Sequence, residues 1–214
     1  MTGPPKKPTL YSMLGRSSDT TIPSSRKNQR KAAASAVTDP NLVIVGDGAC
    51  GKTCLLIAFF DGTFPKYYVP HLFGYKIVDF KIDGKHVELA LWDTSDYRIH
   101  ERRRRRSYAE SDVILICFAI DSPDSLDNVQ QKWVSKALPF RRCRPVMLVG
   151  CKKDLRYDTR TIEKLRKTNQ HPVTHEEGEE VGRRIGAYKY LECSAKTNEG
   201  IKEVFEHATR VAIL

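Results

Sequence analysis

Gly46-Asp47-Gly48-Ala49-Cys50-Gly51-Lys52-Thr53 stands between two apolar runs, residues 42–45 and residues 54–57. A GxxxxGK(S/T) spacing between a strand and a helix is typical of a P-loop, because its glycines let consecutive backbone N–H groups turn inward around a phosphate. Lys52 adds a positive charge for the β- and γ-phosphates, and Thr53 offers a hydroxyl to Mg²⁺. This octet and the adjoining Cys54 therefore predict a nucleoside-triphosphate site. Other residues must decide which nucleotide base is bound and which reaction takes place.

The chain beyond the octet alternates short apolar runs with helical segments. We predict strands at about 42–45, 76–82, 86–92, 113–119, 146–149 and 188–192, and helices at about 51–60, 123–138, 158–167, 174–186 and 199–213. Asp83-Gly84 suits a tight hairpin between the second and third strands, which would form the one antiparallel pair. Ser122 predicts a hydroxyl cap, and Thr174 opens a capping box. The pattern predicts an α/β domain with a mostly parallel sheet.

Composition sets the limits of the domain and of its surroundings. Residues 1–38 are rich in Ser, Thr, Pro, Lys and Arg and carry no regular apolar pattern, so we expect a disordered basic N-terminal arm followed by one domain at 39–214. There is no apolar run near 18 residues and no secretory signal pattern, which indicates an intracellular, cytoplasmic protein. The six scattered cysteines are expected to be reduced and mostly buried.

Three segments at the ends of predicted strands indicate which nucleotide is bound. Asp93 ends the third strand, where a carboxylate can hold Mg²⁺ across from Thr53. Lys152 and Asp154 follow the fifth strand, and a carboxylate there can accept the N1–H and the exocyclic amine of guanine, which adenine does not offer. Residues 194–196 follow the sixth strand and could bring a backbone N–H to the guanine O6. The sequence thus favours guanine over adenine.

With these segments in view, residues 41–214 resemble the Rho family of Ras-superfamily small GTPases. The resemblance rests on GDGACGKTCLLI, on Phe64-Pro65 and Tyr68-Val69-Pro70, on VELALWDT, on IDSPDSL and on ECSAKT, and the charged segment 158–167 matches the helix by which Rho proteins differ from Ras. It implies a Ras-like P-loop NTPase fold of three layers, with a six-stranded sheet, five main helices and a Rho-type insert helix. It also implies bound GTP or GDP with Mg²⁺, signalling through two switch loops, and regulation of the cytoskeleton.

The same resemblance implies a set of site residues. Thr53 and Asp93 would lie at the metal; Asp47, Gly48, Ala49, Cys50, Gly51, Lys52, Thr53 and Cys54 would lie at the phosphates; and Phe64, Lys152, Asp154, Ser194, Ala195 and Lys196 would lie at the guanine.

Four positions depart from the family pattern. His71 takes the place of the switch I threonine that binds Mg²⁺, and imidazole is a poor ligand for this hard cation. Asp96 replaces the switch II glycine whose N–H meets the γ-phosphate, which would place two negative charges close together. Tyr97 replaces the glutamine that orients the attacking water. Cys151 replaces the asparagine before Lys152. We therefore expect slow or absent GTP hydrolysis and assign no catalytic residue.

The charge distribution of the sequence indicates which classes of partner the protein could bind. The formal net charge is +10, residues 1–40 carry seven Lys or Arg against two Asp, and residues 102–106 are five consecutive arginines on the predicted switch II helix. We expect effectors and regulators other than the standard Rho set, with acidic proteins or anionic membrane as alternatives to a merely solvated face. Nucleic acid is disfavoured, because no aromatic residues interleave these arginines.

The C-terminus carries no CaaX cysteine, so we expect membrane contact to be electrostatic, weak and peripheral at the inner face of the plasma membrane.

Two functions stay open at this point. The first is an atypical Rho-like switch that binds and exchanges guanine nucleotide and hydrolyses it slowly or not at all. The second is a pseudo-GTPase, an interaction scaffold in which the nucleotide is a structural ligand and no γ-phosphate is sensed. The intact P-loop favours the first, and the joint changes at His71, Asp96 and Tyr97 motivate the second.

Overall fold

The computed structural model describes residues 39–67, 74–93, 101–141 and 144–213, and for residues 101–105, 138 and 141 only the backbone is described. The predictions about the basic arm (1–38) and about His71, Asp96 and Tyr97 lie outside these residues.

One six-stranded sheet organises the domain. Its strands are β1 (Asn41–Gly46), β2 (Tyr75–Ile82), β3 (Lys85–Asp93), β4 (Val113–Ala119), β5 (Val146–Cys151) and β6 (Lys189–Glu192). Their order across the sheet is β2-β3-β1-β4-β5-β6. The hairpin partners β2 and β3 are antiparallel, and every other neighbouring pair is parallel. The predicted sheet is confirmed, including its antiparallel edge strand β2.

Helical segments connect the strands on both faces of this sheet. They are α1 (Lys52–Asp61), α2 (Glu101–Glu110), α3 (Pro123–Asn128), a π-helical turn (Val129–Trp133), α4 (Val134–Arg141), α5 (Thr159–Arg166), α6 (His175–Arg184) and α7 (Ile201–Ala212). The helix predicted from residue 123 is thus interrupted by a π-turn, which no local pattern predicts. No helix in the described ranges is long and apolar enough to cross a membrane.

Helix caps test the local predictions. Asp158 accepts the N–H of Thr161 at 2.9 Å at the start of α5, and Thr174 and Glu177 form the predicted capping box of α6. The predicted cap by Ser122 is wrong: its hydroxyl makes no cap hydrogen bond, although Pro123 does begin α3. Ser125 organises this corner instead, because its hydroxyl donates to the carbonyl of Ser122 at 2.6 Å and accepts the N–H of Ala119 at 2.9 Å.

The central strand β1 is buried on both faces, as its unbroken apolar run requires. Leu42 and Ile44 belong to a cluster that includes residues of α1 and α7, whereas Val43 and Val45 belong to a cluster that includes residues of α3 and α6. The connection from β1 leads to β2 and β3 on one side of it, and the connection from β3 then crosses to β4 on the other side. Residues 46–53 therefore follow the strand at which the connections reverse direction, where open α/β sheets bind ligands.

Two glycines inside α6 offer a matched test of packing. A Cβ at Gly178 would lie 2.2 Å from the hydroxyl oxygen of Tyr190, whereas a Cβ at Gly182 would meet nothing closer than 3.4 Å. We expect Gly178→Ala to lower the free energy of unfolding by about 1–3 kcal/mol, because the ring of Tyr190 stacks on Phe118 and must be displaced. Urea unfolding at a fixed nucleotide concentration measures the effect.

Gly182→Ala is the control for helix propensity. It should leave the free energy of unfolding unchanged or raise it by up to about 1 kcal/mol, because alanine favours a helix interior. Equal destabilisation by both substitutions would contradict the packing argument.

Candidate functional site

The P-loop lies so close to the sheet that side chains are excluded at two of its positions. Gly46 has φ +145°, and a Cβ there would lie 2.1 Å from the carbonyl oxygen of Cys117 on β4. Gly51 has φ +107°, and a Cβ there would lie 3.1 Å from the Cβ of Cys151. Both backbones adopt a region that favours glycine. These two residues allow the loop to turn tightly from β1 into α1.

Lys52 begins α1 and turns back over the loop. Its ammonium nitrogen donates to the carbonyl oxygens of Gly46 at 2.9 Å and Asp47 at 2.6 Å, and its side chain is buried. A buried ammonium is costly unless it has partners, and an anion beside the loop would supply the opposite charge. The position and the charge both suit a phosphate-binding lysine.

Thr53 and Asp93 bring two hard oxygen ligands together beside this lysine. The hydroxyl of Thr53 donates to a carboxylate oxygen of Asp93 at 3.2 Å, and Asp93, at the end of β3, is 2% exposed. A hydroxyl and a carboxylate in contact form the type of ligand pair that Mg²⁺ prefers. The predicted metal residues are therefore neighbours in the fold.

The side chain of Asp47 turns toward the helical layer. Its carboxylate accepts from the amide nitrogen of Asn128 at 2.6 Å and from the indole nitrogen of Trp133 at 2.8 Å, and the ammonium of Lys132 lies 3.5 Å away. All three partners belong to the end of α3 and the π-helical turn. The contribution of Asp47 at the phosphates would therefore come from its backbone, and its carboxylate anchors the loop.

A cavity of about 150 Å³ opens beside the P-loop. It is lined by Gly51, Cys54, Leu55, Phe64, Cys151, Lys152, Asp154, Leu155, Cys193, Ala195 and Lys196. These residues come from α1, the loop after α1, the end of β5 and the loop after β6. The structure thus brings together five of the six residues predicted to contact guanine, and the sixth, Ser194, contacts Asp154.

Hydrogen bonds fix the polar end of this cavity. The hydroxyl of Ser194 donates to the carboxylate of Asp154 at 2.6 Å, and the ammonium of Lys196 lies 3.8 Å from the same carboxylate. Lys152 pairs with Asp121 at 2.9 Å. Asp154 is held in one orientation and can accept hydrogen bonds from a base that presents adjacent N–H groups, as guanine does.

A buried ion pair ties the segment after β5 to the end of β6. The guanidinium of Arg156 donates to both carboxylate oxygens of Glu192, at 2.8 and 2.5 Å, and the two side chains are 11% and 6% exposed. The hydroxyl of Tyr190 donates to Glu192 at 2.5 Å, and His175 lies 3.2 Å from it. Burial acts to raise the pKa of Glu192, but the hydrogen bonds from Arg156 and Tyr190 outweigh it and lower the pKa.

Sulfur takes the place of an amide at the end of β5. The thiol of Cys151 is buried among those of Cys50, Cys117 and Cys193, and these four cysteines and the partly exposed Cys54 are all free. Hydrogen bonds from Cys117 and Cys193 lower the pKa of Cys151, whereas burial raises the pKa of Cys50 to about 11. Four of these five thiols are buried, as predicted, and Cys54 is partly exposed.

Sequence reasoning missed several residues that position the site. Asp121 pairs with Lys152, and the ion pair Arg156–Glu192 joins the segment after β5 to β6. Asn128 and Trp133 anchor the P-loop. Asp121 could have been found, since it follows the apolar strand β4 by two residues. The anchoring residues lie 81 and 86 positions from Asp47 and gave no local signal.

The fold and the site define a Ras-like P-loop domain with a cavity beside the P-loop. The Ras family profile matches residues 41–213. The chain is 65% identical over 173 residues to the GTP-binding protein rho1 of Schizosaccharomyces pombe, covering 81% of this chain and 86% of that protein. It is 60% identical to rho5 of the same yeast and 57% identical to RHO1 of Saccharomyces cerevisiae, with similar coverage. The chain belongs to the Rho family of small GTP-binding signalling GTPases.

The buried ion pair provides a stability test with a pH signature. Glu192→Gln should lower the free energy of unfolding by about 3 kcal/mol at pH 7, because the guanidinium of Arg156 loses its counter-ion in a buried position. The folded-state pKa of Glu192 is lowered, so its stabilisation is complete above the unfolded pKa of about 4.3 and is lost as the pH falls through the folded value. Urea unfolding from pH 7 to pH 3.5 measures both effects.

Asp83→Asn is the control, because Asp83 pairs with Arg210 at 3.0 Å on the exposed surface. Solvent and salt screen that pair, so its loss should change the unfolding curve little. A difference between Glu192→Gln and the unsubstituted protein that stays constant below pH 4 would contradict the assignment.

Proposed function

We propose that this Rho-family chain binds GTP and GDP with Mg²⁺ as a signalling switch and that it hydrolyses GTP slowly or not at all. The observation that carries the binding proposal is the convergence of three parts at one end of the sheet. These are the buried ammonium of Lys52 over the P-loop, the contact between Thr53 and Asp93, and the cavity that ends at Asp154.

Each part has a role in this proposal. The backbone N–H groups of residues 47–54 and the charge of Lys52 would hold the phosphates. Asp154 would accept from guanine, with Ser194 fixing its orientation, while Phe64, Lys152 and the segment 194–196 enclose the base. Thr53 and Asp93 would hold Mg²⁺, whose chemistry is to neutralise charge on the phosphates.

Slow hydrolysis is supported by residue chemistry at the two switches. Tyr97 lacks the amide of glutamine, which both donates and accepts hydrogen bonds and can thereby position the attacking water. His71 is a poor Mg²⁺ ligand. Asp96 adds a negative charge where the family uses a backbone N–H. These changes remove interactions that stabilise the charge of phosphoryl transfer, so ordinary turnover is not expected.

The proposed partners follow from charge. The five arginines at 102–106 lie in the first half of α2, and the side chain of Arg106 is exposed and pairs with Glu110 at 2.9 Å. A surface of this sign favours acidic effectors and regulators and disfavours partners that need an apolar switch II surface. Weak contact with anionic membrane at the cytoplasmic face belongs to the same proposal.

The second candidate is a pseudo-GTPase scaffold, favoured by the joint changes at His71, Asp96 and Tyr97. If the γ-phosphate adds no affinity, both nucleotides leave the conformational equilibrium unchanged and no signal passes. The two candidates therefore differ in one measurable quantity, the ratio of GTP to GDP affinity.

Two measurements test the proposal. The first identifies the nucleotide that is released when the purified protein is denatured, and the second is a titration with GDP and GTPγS, with and without Mg²⁺. A preference for the triphosphate supports the switch, and equal affinities support the scaffold. Lys52→Ala should lower both affinities by at least about a hundredfold, because a buried charged hydrogen bond to phosphate is lost. Lys85→Ala, which removes an exposed lysine of β3, is the control. Failure of the unsubstituted protein to bind either nucleotide would refute both candidates.

Asp96→Gly tests the electrostatic argument in switch II. A carboxylate about 4 Å from the γ-phosphate costs about 1 kcal/mol per charge pair in water and about 4 kcal/mol at an effective dielectric of 20. We therefore expect GTPγS affinity to rise about fivefold or more while GDP affinity, the internal control, stays constant. Adding Tyr97→Gln should raise the single-turnover hydrolysis rate. A parallel rise in both affinities would mean that Asp96 acts on the fold rather than on the γ-phosphate.

A further inference from the structure

A second cavity, of about 390 Å³, lies between α3 and α6. It is lined by residues of α3 and the π-helical turn, by residues of the segment 169–173 and by residues of α6. None of the described residues that line it also lines the base cavity. Clefts that hold ligands commonly measure about 300–1,000 Å³. The domain therefore has a second cleft of binding-site size, which the proposed nucleotide function does not use.

The floor of this cleft is apolar. Leu126 of α3 and Val181 of α6 line it and are 7% and 6% exposed, and the partly buried Pro123 lies beside them. Leu126 and Val181 belong to the core cluster on this face of the sheet, so their positions are fixed by packing. Such a floor suits the hydrocarbon part of a partner's side chain.

Carboxylates surround this floor. Asp127, Glu177 and Glu180 line the cleft, and Asp124 adjoins it, where its carboxylate accepts from the amide nitrogen of Gln170 at 2.6 Å. Asp127 is exposed, and its carboxylate forms no ion pair or hydrogen bond with a residue that the structure describes. The rim thus carries negative charge on a chain whose formal net charge is +10.

The cations near this rim neutralise only part of its charge. Arg183 and Arg184 both pair with Glu180, at 2.6 and 3.0 Å. His171 lies 3.6 Å from Glu177 and carries a charge only when it is protonated. The carboxylates of Asp124 and Asp127 therefore remain available to a cation from outside.

Two side-chain amides also line the cleft. Gln130 belongs to the π-helical turn, and Asn169 lies in the loop after α5. Neither amide forms a hydrogen bond within the described ranges. A primary amide has two donors and an acceptor, which match the C=O and N–H groups of a peptide backbone.

The charge of the rim selects one class of partner. Anionic membrane and nucleic acid are repelled by carboxylates, whereas lysine and arginine combine a hydrocarbon stem with a cationic head. The stem matches the apolar floor, and the head matches the carboxylates around it. This cleft is opposite in sign to the arginine run on α2, so the two surfaces suit different partners.

We propose that this cleft is the docking site for a basic segment of a partner protein, in which arginine or lysine alternates with an apolar residue. Asp127 is the main charge contact, and the apolar residue of the partner covers Leu126 and Val181. Gln130 and Asn169 bind the backbone of the segment. Because the cleft and the base cavity share no residue, docking leaves the nucleotide site open.

The test uses the purified full chain and the probe peptide fluorescein-Ser-Gly-Arg-Leu-Arg-Leu-Arg-Gly-Ser-amide. Fluorescence anisotropy at low ionic strength measures its affinity. A probe with glutamate in place of each arginine should bind at least about tenfold more weakly, because its charge is reversed. A probe with serine in place of both leucines should bind about fivefold more weakly or worse, because it lacks the apolar contact.

Substitutions in the protein locate the contact. Asp127→Asn should weaken binding of the arginine probe about two- to threefold, and Asp127→Lys about fivefold or more, because a lost attraction becomes a repulsion. Glu203→Lys is the matched control: it makes the same charge change at an exposed residue of α7, which packs on the other face of the sheet. Solvent and salt screen that distant charge, so the affinity should change less than about twofold.

Amide chemical shifts in a ¹⁵N-labelled sample identify the site independently of the substitutions. On titration with the arginine probe, the largest changes should fall within residues 123–130 and 169–184. Changes concentrated elsewhere, no binding of the probe, or equal weakening by Asp127→Lys and Glu203→Lys would overturn the proposal.

Sedimentation velocity of the chain alone distinguishes a partner protein from a second copy. The chain should stay monomeric with and without Asp127→Lys. Self-association that Asp127→Lys abolishes would assign the cleft to a basic segment of another copy and would overturn the proposal of a separate partner.

Discussion

The close approach of the P-loop backbone to strand β4 is the constraint on which the rest of the site depends. The carbonyl of Cys117 leaves no space for a side chain at Gly46, and the side chain of Cys151 crowds Gly51 from the other side. Because the loop is enclosed by two neighbouring strands, its direction into α1 is fixed. Lys52 is then carried back over the loop, and Thr53 is carried to Asp93.

Two further sets of contacts turn this loop into a rigid site. On the phosphate side, Asn128 and Trp133 donate hydrogen bonds to the carboxylate of Asp47. These donors hold the negative charge of Asp47 away from the opening of the P-loop. On the base side, Arg156 and Glu192 join the loops that follow β5 and β6. We assign this pair a positioning role rather than a large net stabilisation, because desolvation offsets much of the attraction in a buried ion pair.

Cys54, Cys151 and Cys193 line the cavity beside the P-loop. Family resemblance leads one to expect an asparagine at residue 151, which would connect loops through two donors and an acceptor. A cysteine forms weaker hydrogen bonds. Arg156, Glu192 and Ser194 therefore hold the segments after β5 and β6 in place.

The sequence by itself determined the fold and most of the site. The run 42–45, the octet after it and the regular alternation of elements fixed a P-loop domain, because apolar periodicity and glycine spacing are local properties. Motifs at strand ends also identified Asp93, Asp154 and residues 194–196, since parallel strands bring their carboxyl ends to one edge. Tertiary structure alone decided which distant side chains hold these groups. The hydrogen bonds that anchor Asp47 and the ion pair of Glu192 with Arg156 join residues that are close only after the sheet has formed. No local pattern encodes such pairs, because each depends on strand order and register rather than on neighbours in the chain.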